Sequence, residues 1–118
     1  ILGTFATGPA IRNYPANVIT EAIGTVVLIL GLLAFTQHTF ADGVNPFVVG
    51  ILILSIGLSL GGPTGYAINP ARDLGPRLAH QLLPIETKGD SDWSYAWVPI
   101  AGPVIGAVIA GGLWLMMV

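Results

Sequence analysis

Charged side chains are scarce in this sequence. Its 118 residues include 4 Lys or Arg and 6 Asp or Glu, or 8%, whereas a soluble domain has about 25%. Uncharged stretches cover residues 22–41, 43–71 and 93–118, and each reaches the roughly 20 residues that a helix needs to cross a bilayer. A soluble domain of this size has too little interior to hide three such stretches. The sequence therefore predicts a membrane protein.

Cysteine is absent, and the few basic residues form no cluster. Without cysteine the chain has neither a disulfide nor a thiolate metal site. A net charge of −2 without a basic patch gives no basis for binding nucleic acid. Because the sequence also lacks a nucleophile–base pair, a phosphate-binding loop and a cluster of metal ligands, we expect no enzymatic activity, no metal and no cofactor.

Turn-forming residues divide the chain into an irregular start at 1–16, three apolar spans and one interrupted segment. The interrupted segment begins with GGPTGYAINPA (61–71), which cannot continue a helix because its prolines lack amide donors and its glycines favour turns. Irregular backbone at membrane depth occurs where protein buries it or where it lines a watery cavity. We expect an all-α membrane protein with spans at 17–38, 44–60 and 95–118 and with a re-entrant loop and half-helix at 61–82.

A short helix is predicted within this interrupted segment. Asn69 is a good N-cap, and Pro70 occupies the first helical position, where proline is tolerated. About 14 residues span about 21 Å, which is too short to cross the membrane, so the helix enters only halfway. Its first amides lack partners inside the helix, and its dipole places about half a positive charge at that end. A cation meets repulsion there, whereas a neutral hydroxyl group finds donors.

Polar groups near the start of this helix could line a path. Asn69 adds an amide side chain, and Arg72, within the first turn, adds a full positive charge. The carbonyls of residues 64–67 have no helix to satisfy them and can serve as acceptors. Together these donors and acceptors replace the hydration of a small neutral solute and oppose the passage of ions.

Residues 65–77, GYAINPARDLGPR, resemble the second signature loop of the aquaporin, or major intrinsic protein, family. The resemblance extends over essentially the whole chain, in the order loop, span, span, half-helix and span. It implies an aquaporin-like right-handed helical bundle in which this chain is the second inverted repeat and residues 1–16 are an extracellular loop. The implied partners are the lipid bilayer and an N-terminal half of the same channel, within a homotetramer. The expected location is the plasma membrane of a bacterium.

The resemblance assigns roles residue by residue. The NPA motif corresponds to Asn69, Pro70 and Ala71. The selectivity filter corresponds to Tyr66, Arg72 and Gly57. The carbonyls that line the pore are those of Thr64, Gly65, Tyr66 and Ala67. Structural support comes from Glu21, Asp73 and Arg77.

Further positions resemble the glycerol-facilitator branch of the family. Glycerol facilitators have an acidic residue after NPAR and a basic residue four positions later, here Asp73 and Arg77. They begin the last span with proline and an aliphatic residue, here Pro99 and Ile100, and they keep a small filter residue, here Gly57. The resemblance implies a passive channel that admits glycerol, water and other small uncharged solutes but excludes ions and protons.

Tyr66 departs from this pattern, because bacterial glycerol facilitators usually have phenylalanine there. Dihydroxyacetone, urea, hydrogen peroxide and protonated lactic acid are further candidate solutes. Three alternatives stay open: a water-selective channel, an ion-coupled secondary transporter with Glu21 as its proton carrier, and a membrane junction or scaffold protein. The transporter would need an ion gradient, and the scaffold would tolerate the loss of Arg72.

Four ionisable residues have structural interpretations. A glutamate inside a span is costly in lipid, and the resemblance implies that Glu21 accepts hydrogen bonds from amides of the loop. Asp73 and Arg77 stand at i and i+4, which predicts a surface ion pair and, for Asp73, stabilisation of the helix dipole. His80, like His38, lies near a loop and is expected at the surface.

Small residues within the spans have structural interpretations as well. Ser55 and Ser59 are expected to bond back to their own helix. Gly102 and Gly106 are separated by four residues, which predicts that two helix backbones approach each other closely.

Overall fold

The computed structural model describes residues 1–118, which form helices without any β-strand. The helices are α1 (Leu2–Phe5), α2 (Tyr14–Phe35), α3 (Val44–Leu60), α4 (Pro70–Leu82) and α5 (Val98–Met117). The predicted all-α fold class is confirmed. The predicted span at 44–60 and the start of the half-helix at Pro70 agree with the bounds of α3 and α4.

The start of α2 differs from the prediction. The helix begins at Tyr14 rather than at residue 17 and ends at Phe35 rather than at residue 38. The Asn13 side chain accepts a hydrogen bond from the Ala16 backbone N–H at 3.2 Å, and Pro15 lies in the first turn, where its missing N–H is not needed. The expectation of an irregular segment throughout 1–16 is therefore wrong, because these turn formers start a helix.

Two helices are long and apolar enough to cross a membrane. They are α2, with 22 residues and a mean hydropathy of 2.3, and α5, with 20 residues and a mean hydropathy of 1.9. The apolar α3 has 17 residues, about 25 Å of helix, at the short end of the range for a membrane span. A series of turns over 93–97 precedes α5, so this helix begins three residues after the predicted start at 95.

The closest helix pair is α2 with α5, and small residues allow it. A Cβ at Gly102 would lie 2.5 Å from the Cβ of Glu21, and one at Gly106 would lie 2.8 Å from the Cβ of Thr25. No real Cβ comes so close to a neighbour, so both glycines are required for this contact. The predicted packing role of Gly102 and Gly106 is confirmed.

Much of the helix surface is apolar and exposed. Only 23 of the 118 residues are buried, and many apolar side chains of the long helices are exposed. Examples from α2, α3 and α5 are Ile23, Leu54 and Val108, which are 49%, 54% and 70% exposed. Such surfaces suit contact with lipid or with other membrane helices. The short α4 instead packs against α1 and α5.

Candidate functional site

The part of the signature loop that precedes α4 carries an unusual backbone. Gly65, Tyr66 and Ile68 have φ values of 77°, 42° and 46°, in the left-handed region. For the β-branched Ile68 this conformation is a genuine outlier, which persists only where the surroundings enforce it. The carbonyls of residues 64–67 accept no hydrogen bond within the chain. The loop therefore presents a row of free acceptors.

Glu21 of α2 holds this backbone in place. Its side chain is buried, with 1% exposed, and its two oxygens accept hydrogen bonds from the backbone N–H groups of Ala67 at 3.0 Å and Ile68 at 2.8 Å. The contact between Glu21 and loop amides that the resemblance implies is thus present. Two charge-assisted hydrogen bonds to adjacent amides offset the cost of burying the carboxylate.

Asn69 begins α4 as its N-cap. Its Oδ1 accepts hydrogen bonds from the backbone N–H groups of Ala71 at 2.9 Å and Arg72 at 3.3 Å. Pro70 follows at the first helical position and needs no such partner. Because Oδ1 is already engaged, the side-chain NH₂ of Asn69 remains as a donor for another molecule.

Two cavities meet beside Asn69. One, of about 160 Å³, is lined by Leu28, Ile53, Tyr66, Ala67, Ile68, Asn69 and Arg72. The other, of about 280 Å³, is lined by Thr25, Leu28, Ile29, Ile68, Asn69, Pro70, Pro103, Val104 and Ala107. They share Leu28, Ile68 and Asn69, so they adjoin each other and together form the recess beside the start of α4. Larger recesses of about 490 and 440 Å³ lie elsewhere and contain no ionisable residue.

The three predicted filter residues do not hold equivalent positions. Tyr66 and Arg72 line the smaller cavity, but Gly57 does not. Gly57 lies behind the Tyr66 ring, where a Cβ would come within 2.8 Å of the ring carbon Cζ. Tyr66 therefore stands between Gly57 and the cavity.

Asp73 and Arg77 form a buried pair rather than the predicted surface pair. Both residues are 0% exposed. Arg77 Nε donates to Asp73 Oδ1 at 2.9 Å, and Asp73 Oδ2 accepts from the backbone N–H and the hydroxyl of Thr7 at 2.9 and 2.7 Å. Arg77 also donates to the Thr7 and Ser91 carbonyls, each at 2.8 Å. The prediction is wrong because two distant parts of the chain cover this face of α4. Thr7 lies 66 residues before Asp73, and Ser91 lies 14 residues after Arg77.

His80 is also buried, with 0% exposed, so its expected surface position is wrong. Its Nε2 contacts the carbonyl of Lys88 at 3.2 Å, and its Nδ1 contacts the Ser91 hydroxyl at 2.7 Å. A carbonyl only accepts, so Nε2 carries the proton and the hydroxyl of Ser91 donates to Nδ1 when the ring is neutral. His38, by contrast, is exposed as predicted.

The sequence analysis did not identify Thr7 and Ser91 as partners of the buried face of α4. One feature of the sequence could have indicated that this face is buried. Asp73, Arg77 and His80 are spaced i, i+4 and i+7, which places them on one face of a helix. A polar stripe on a helix in a chain so poor in charge suggests a buried network.

Ser55 and Ser59 of α3 donate hydrogen bonds back to their own helix, to the carbonyls of residues 51 and 55, as predicted.

A further ion pair lies at the edge of this network. Arg12 donates to a carboxylate oxygen of Asp92, and the pair is partly exposed, with 43% and 21% of the two side chains accessible. Burial alone would raise the pKa of Asp92, but hydrogen bonds from Arg12 and Ser94 outweigh it and hold the pKa below its usual value. The pair fastens residues 1–13 to the loop before α5.

Comparison with known proteins identifies the family to which this chain belongs. The family model of the major intrinsic proteins matches residues 3–114. Glycerol uptake facilitator protein 3 of Lactiplantibacillus plantarum is 67% identical over 97% of this chain and 48% of its own length. A probable glycerol uptake facilitator protein of Thermotoga maritima is 63% identical over 96% of this chain and 48% of its own length.

A solved structure agrees with this placement. The crystal structure of the aquaglyceroporin from Plasmodium falciparum superimposes with a TM-score of 0.75 at 31% identity, and it covers 91% of this chain and 47% of that protein. The chain thus spans about half the length of the relatives it matches. The match of the family model over nearly the whole chain shows that this membrane protein belongs to the major intrinsic protein family.

Proposed function

We propose that this chain is one half of a passive channel for glycerol and other small uncharged solutes. The observation that carries the proposal is the recess beside Asn69, which is lined both by polar groups of the loop and of α4 and by apolar side chains. The names of the similar glycerol uptake facilitators support glycerol as the solute.

A polyol matches such a recess chemically. Its hydroxyl groups can accept from the NH₂ of Asn69 and from the Arg72 guanidinium, and they can donate to the free carbonyls of Tyr66 and Ala67, the two of residues 64–67 that line the recess. Its CH groups can contact Leu28 and Ile53, which line the same cavity. These hydrogen bonds replace those that the solute makes with water, so the solute loses little free energy on entry, as in other aquaporin-type pores.

Ion exclusion follows from charge at the same place. The start of α4 carries the positive end of a helix dipole, and Arg72 adds a full positive charge in the first turn. A cation or a protonated water chain is repelled there, while a neutral solute meets only donors and acceptors. No resident cofactor and no chemical reaction is required.

The whole protein would supply the remaining walls. We infer six spans and two half-helices, a homotetramer with one pore per subunit, and a location in a bacterial plasma membrane. The exposure of Tyr66, Asn69 and Arg72 suits a surface that the other half completes.

Two alternatives have less support. For a proton-coupled transporter Glu21 would have to release and bind protons, yet both of its oxygens accept backbone hydrogen bonds. For a strictly water-selective channel a bulky residue at Gly57 would narrow the constriction, and glycine has no side chain.

The proposal can be tested on the full-length protein in liposomes. After mixing with hyperosmotic glycerol, the vesicles should shrink and then re-swell faster than protein-free vesicles, in the absence of any ion gradient. Re-swelling that requires a proton or sodium gradient would indicate coupled transport. Fast shrinkage without re-swelling would indicate a water-selective channel.

A further inference from the structure

The ring of Tyr66 rests in a slot formed by two glycines of α3. A Cβ at Gly57 would lie 2.8, 3.1 and 3.2 Å from the ring atoms Cζ, Cε1 and Cε2, and a Cβ at Gly61 would lie 2.7 Å from Cδ1. Contacts below 3.0 Å are essentially never made by real Cβ atoms. Any other residue at either position would therefore compete with the ring for the same space.

The ring is the element that separates this slot from the smaller cavity. Tyr66 lines that cavity together with Arg72, whereas neither Gly57 nor Gly61 reaches it. The Tyr66 residue is 36% exposed, so one side of the ring faces α3 while another stays free. A ring displaced from α3 could move into this cavity, which it already lines.

The backbone beside the ring is held more firmly than the ring itself. The Gly65 N–H donates to the Gly61 carbonyl at 2.7 Å, and the Gly61 N–H donates to the Gly57 carbonyl at 3.2 Å. On the other side of the ring, Glu21 fixes the amide of Ala67. Strain from a Cβ at Gly57 is therefore relieved by rotation of the Tyr66 side chain rather than by movement of the loop, whereas a Cβ at Gly61 would also press on the carbonyl oxygen of Gly57.

We propose that Gly61 is a specificity-determining position, and that it and Gly57 set the width of the constriction through Tyr66 rather than by lining it. The two glycines seat the ring against α3 and keep it out of the path. This inference rests on the proposed function in taking the cavity as part of the path of the solute. In this proposal Gly61 does not line the cavity but positions Tyr66, which does.

The chain offers matched substitutions for a test. Gly57→Ala introduces a methyl group whose three nearest atoms all belong to the Tyr66 ring, whereas Gly61→Ala also crowds the carbonyl of Gly57 at the end of α3. Gly50→Ala is the control, because it lies on the same helix with no atom within 4 Å of its Cβ position. Each variant is compared with its counterpart in a Tyr66→Ala background.

The measurement is glycerol and water permeability of liposomes that contain the full-length variants. Gly57→Ala and Gly61→Ala should lower the ratio of glycerol to water permeability by about tenfold, the factor that corresponds to about 1.4 kcal/mol in a barrier. Gly50→Ala should leave it unchanged. In the Tyr66→Ala background, adding either alanine should change the ratio by less than about twofold.

Two outcomes would overturn the proposal. One is an unchanged ratio in Gly61→Ala, and the other is a loss that persists without the Tyr66 ring, because it would come from a distorted end of α3. If Gly61→Ala does not fold, Gly57→Ala is compared alone and together with Tyr66→Ala. A loss of glycerol permeability that disappears with Tyr66→Ala shows that the glycine acts through the ring, whereas a loss that remains shows that it lines the path directly.

If the protein does not conduct glycerol, the result differs from a failure of the slot proposal. Wild-type protein would then pass no glycerol, but its water permeability would still report the position of the ring. A fall in water permeability in both glycine variants that disappears with Tyr66→Ala would support the slot even in that case. A water permeability that neither substitution changes would contradict the proposed role of the slot.

Discussion

On one face of α4, Asp73, Arg77 and His80 are fully buried and hydrogen-bonded within the chain. Outside that face, Arg72 is exposed and its side chain has no hydrogen-bond partner in the chain, and the N-cap residue Asn69 is exposed at the start of the helix. Arg77, in contrast, donates five hydrogen bonds, which uses every donor of a guanidinium group. Two arginines five positions apart on one short helix thus have opposite roles. The saturated one holds protein segments together, and the unsaturated one is available to a solute.

The difference shows how a helix too short to span a bilayer can be held in place in the proposed channel. A helix of 13 residues cannot be anchored by spanning the bilayer. The buried pair instead ties α4 to Thr7 near the start of the chain and to Ser91 in the loop before α5. With one face fixed in this way, the donors of Asn69 and Arg72 keep a defined position beside the recess.

The largest effect is expected on the buried face. Arg77→Met should destabilise the protein by about 3–5 kcal/mol, because it leaves Asp73 buried without its partner. Denaturation of the full-length protein in detergent measures this effect. Arg72→Met is the matched control and should change the free energy of unfolding far less. Equal losses of unfolding free energy in Arg77→Met and Arg72→Met would contradict the distinction between the two arginines.

A smaller effect is expected where the signature loop meets α2. Glu21→Gln replaces one acceptor oxygen with an NH₂ group that faces a backbone N–H, which should cost about 1–3 kcal/mol. We expect weaker folding in the same denaturation assay and unaltered exclusion of protons. Thr20→Val is the control, since Thr20 bonds only to its own helix. A stable Glu21→Gln protein that has lost proton-coupled uptake would instead support the transporter.

The smallest effect on stability is expected at the exposed edge of the buried network. The pKa of Asp92 is lowered in the folded protein, so the pair with Arg12 stabilises the fold above the unfolded pKa of about 3.9. That contribution is lost as the pH falls through the lower folded value. Arg12→Gln should slightly lower the melting temperature at neutral pH, and the difference from wild type should shrink in acid. A difference that grows in acid would contradict this assignment.

The local features of α4 could be predicted from the sequence because their causes are local. Asn69 caps the helix and Pro70 starts it through contacts within three residues, so a short sequence pattern contains the whole argument. The same holds for Ser55 and Ser59, which bond within one turn. The spacing of Gly102 and Gly106 likewise indicates a close helix contact without naming the partner helix.

The buried face of α4 could not be predicted in the same way. The partner of Asp73 is Thr7, which is 66 residues away, and no local pattern links the two. The position of Gly57 behind Tyr66 depends on the left-handed backbone of the signature loop, which Glu21 enforces from another helix. The start of α2 was misplaced because Asn13 and Pro15 suit both turns and helix starts.

The most direct test of the distinction between the two arginines is the ion permeability of Arg72→Val in liposomes that contain the full-length protein. Valine removes the exposed charge without leaving a buried partner, so the free energy of unfolding should change by less than about 0.5 kcal/mol. We predict that glycerol still passes while the leak of cations or protons rises above that of wild type. An unchanged leak, with glycerol flux intact, would contradict the assignment of Arg72 to ion exclusion.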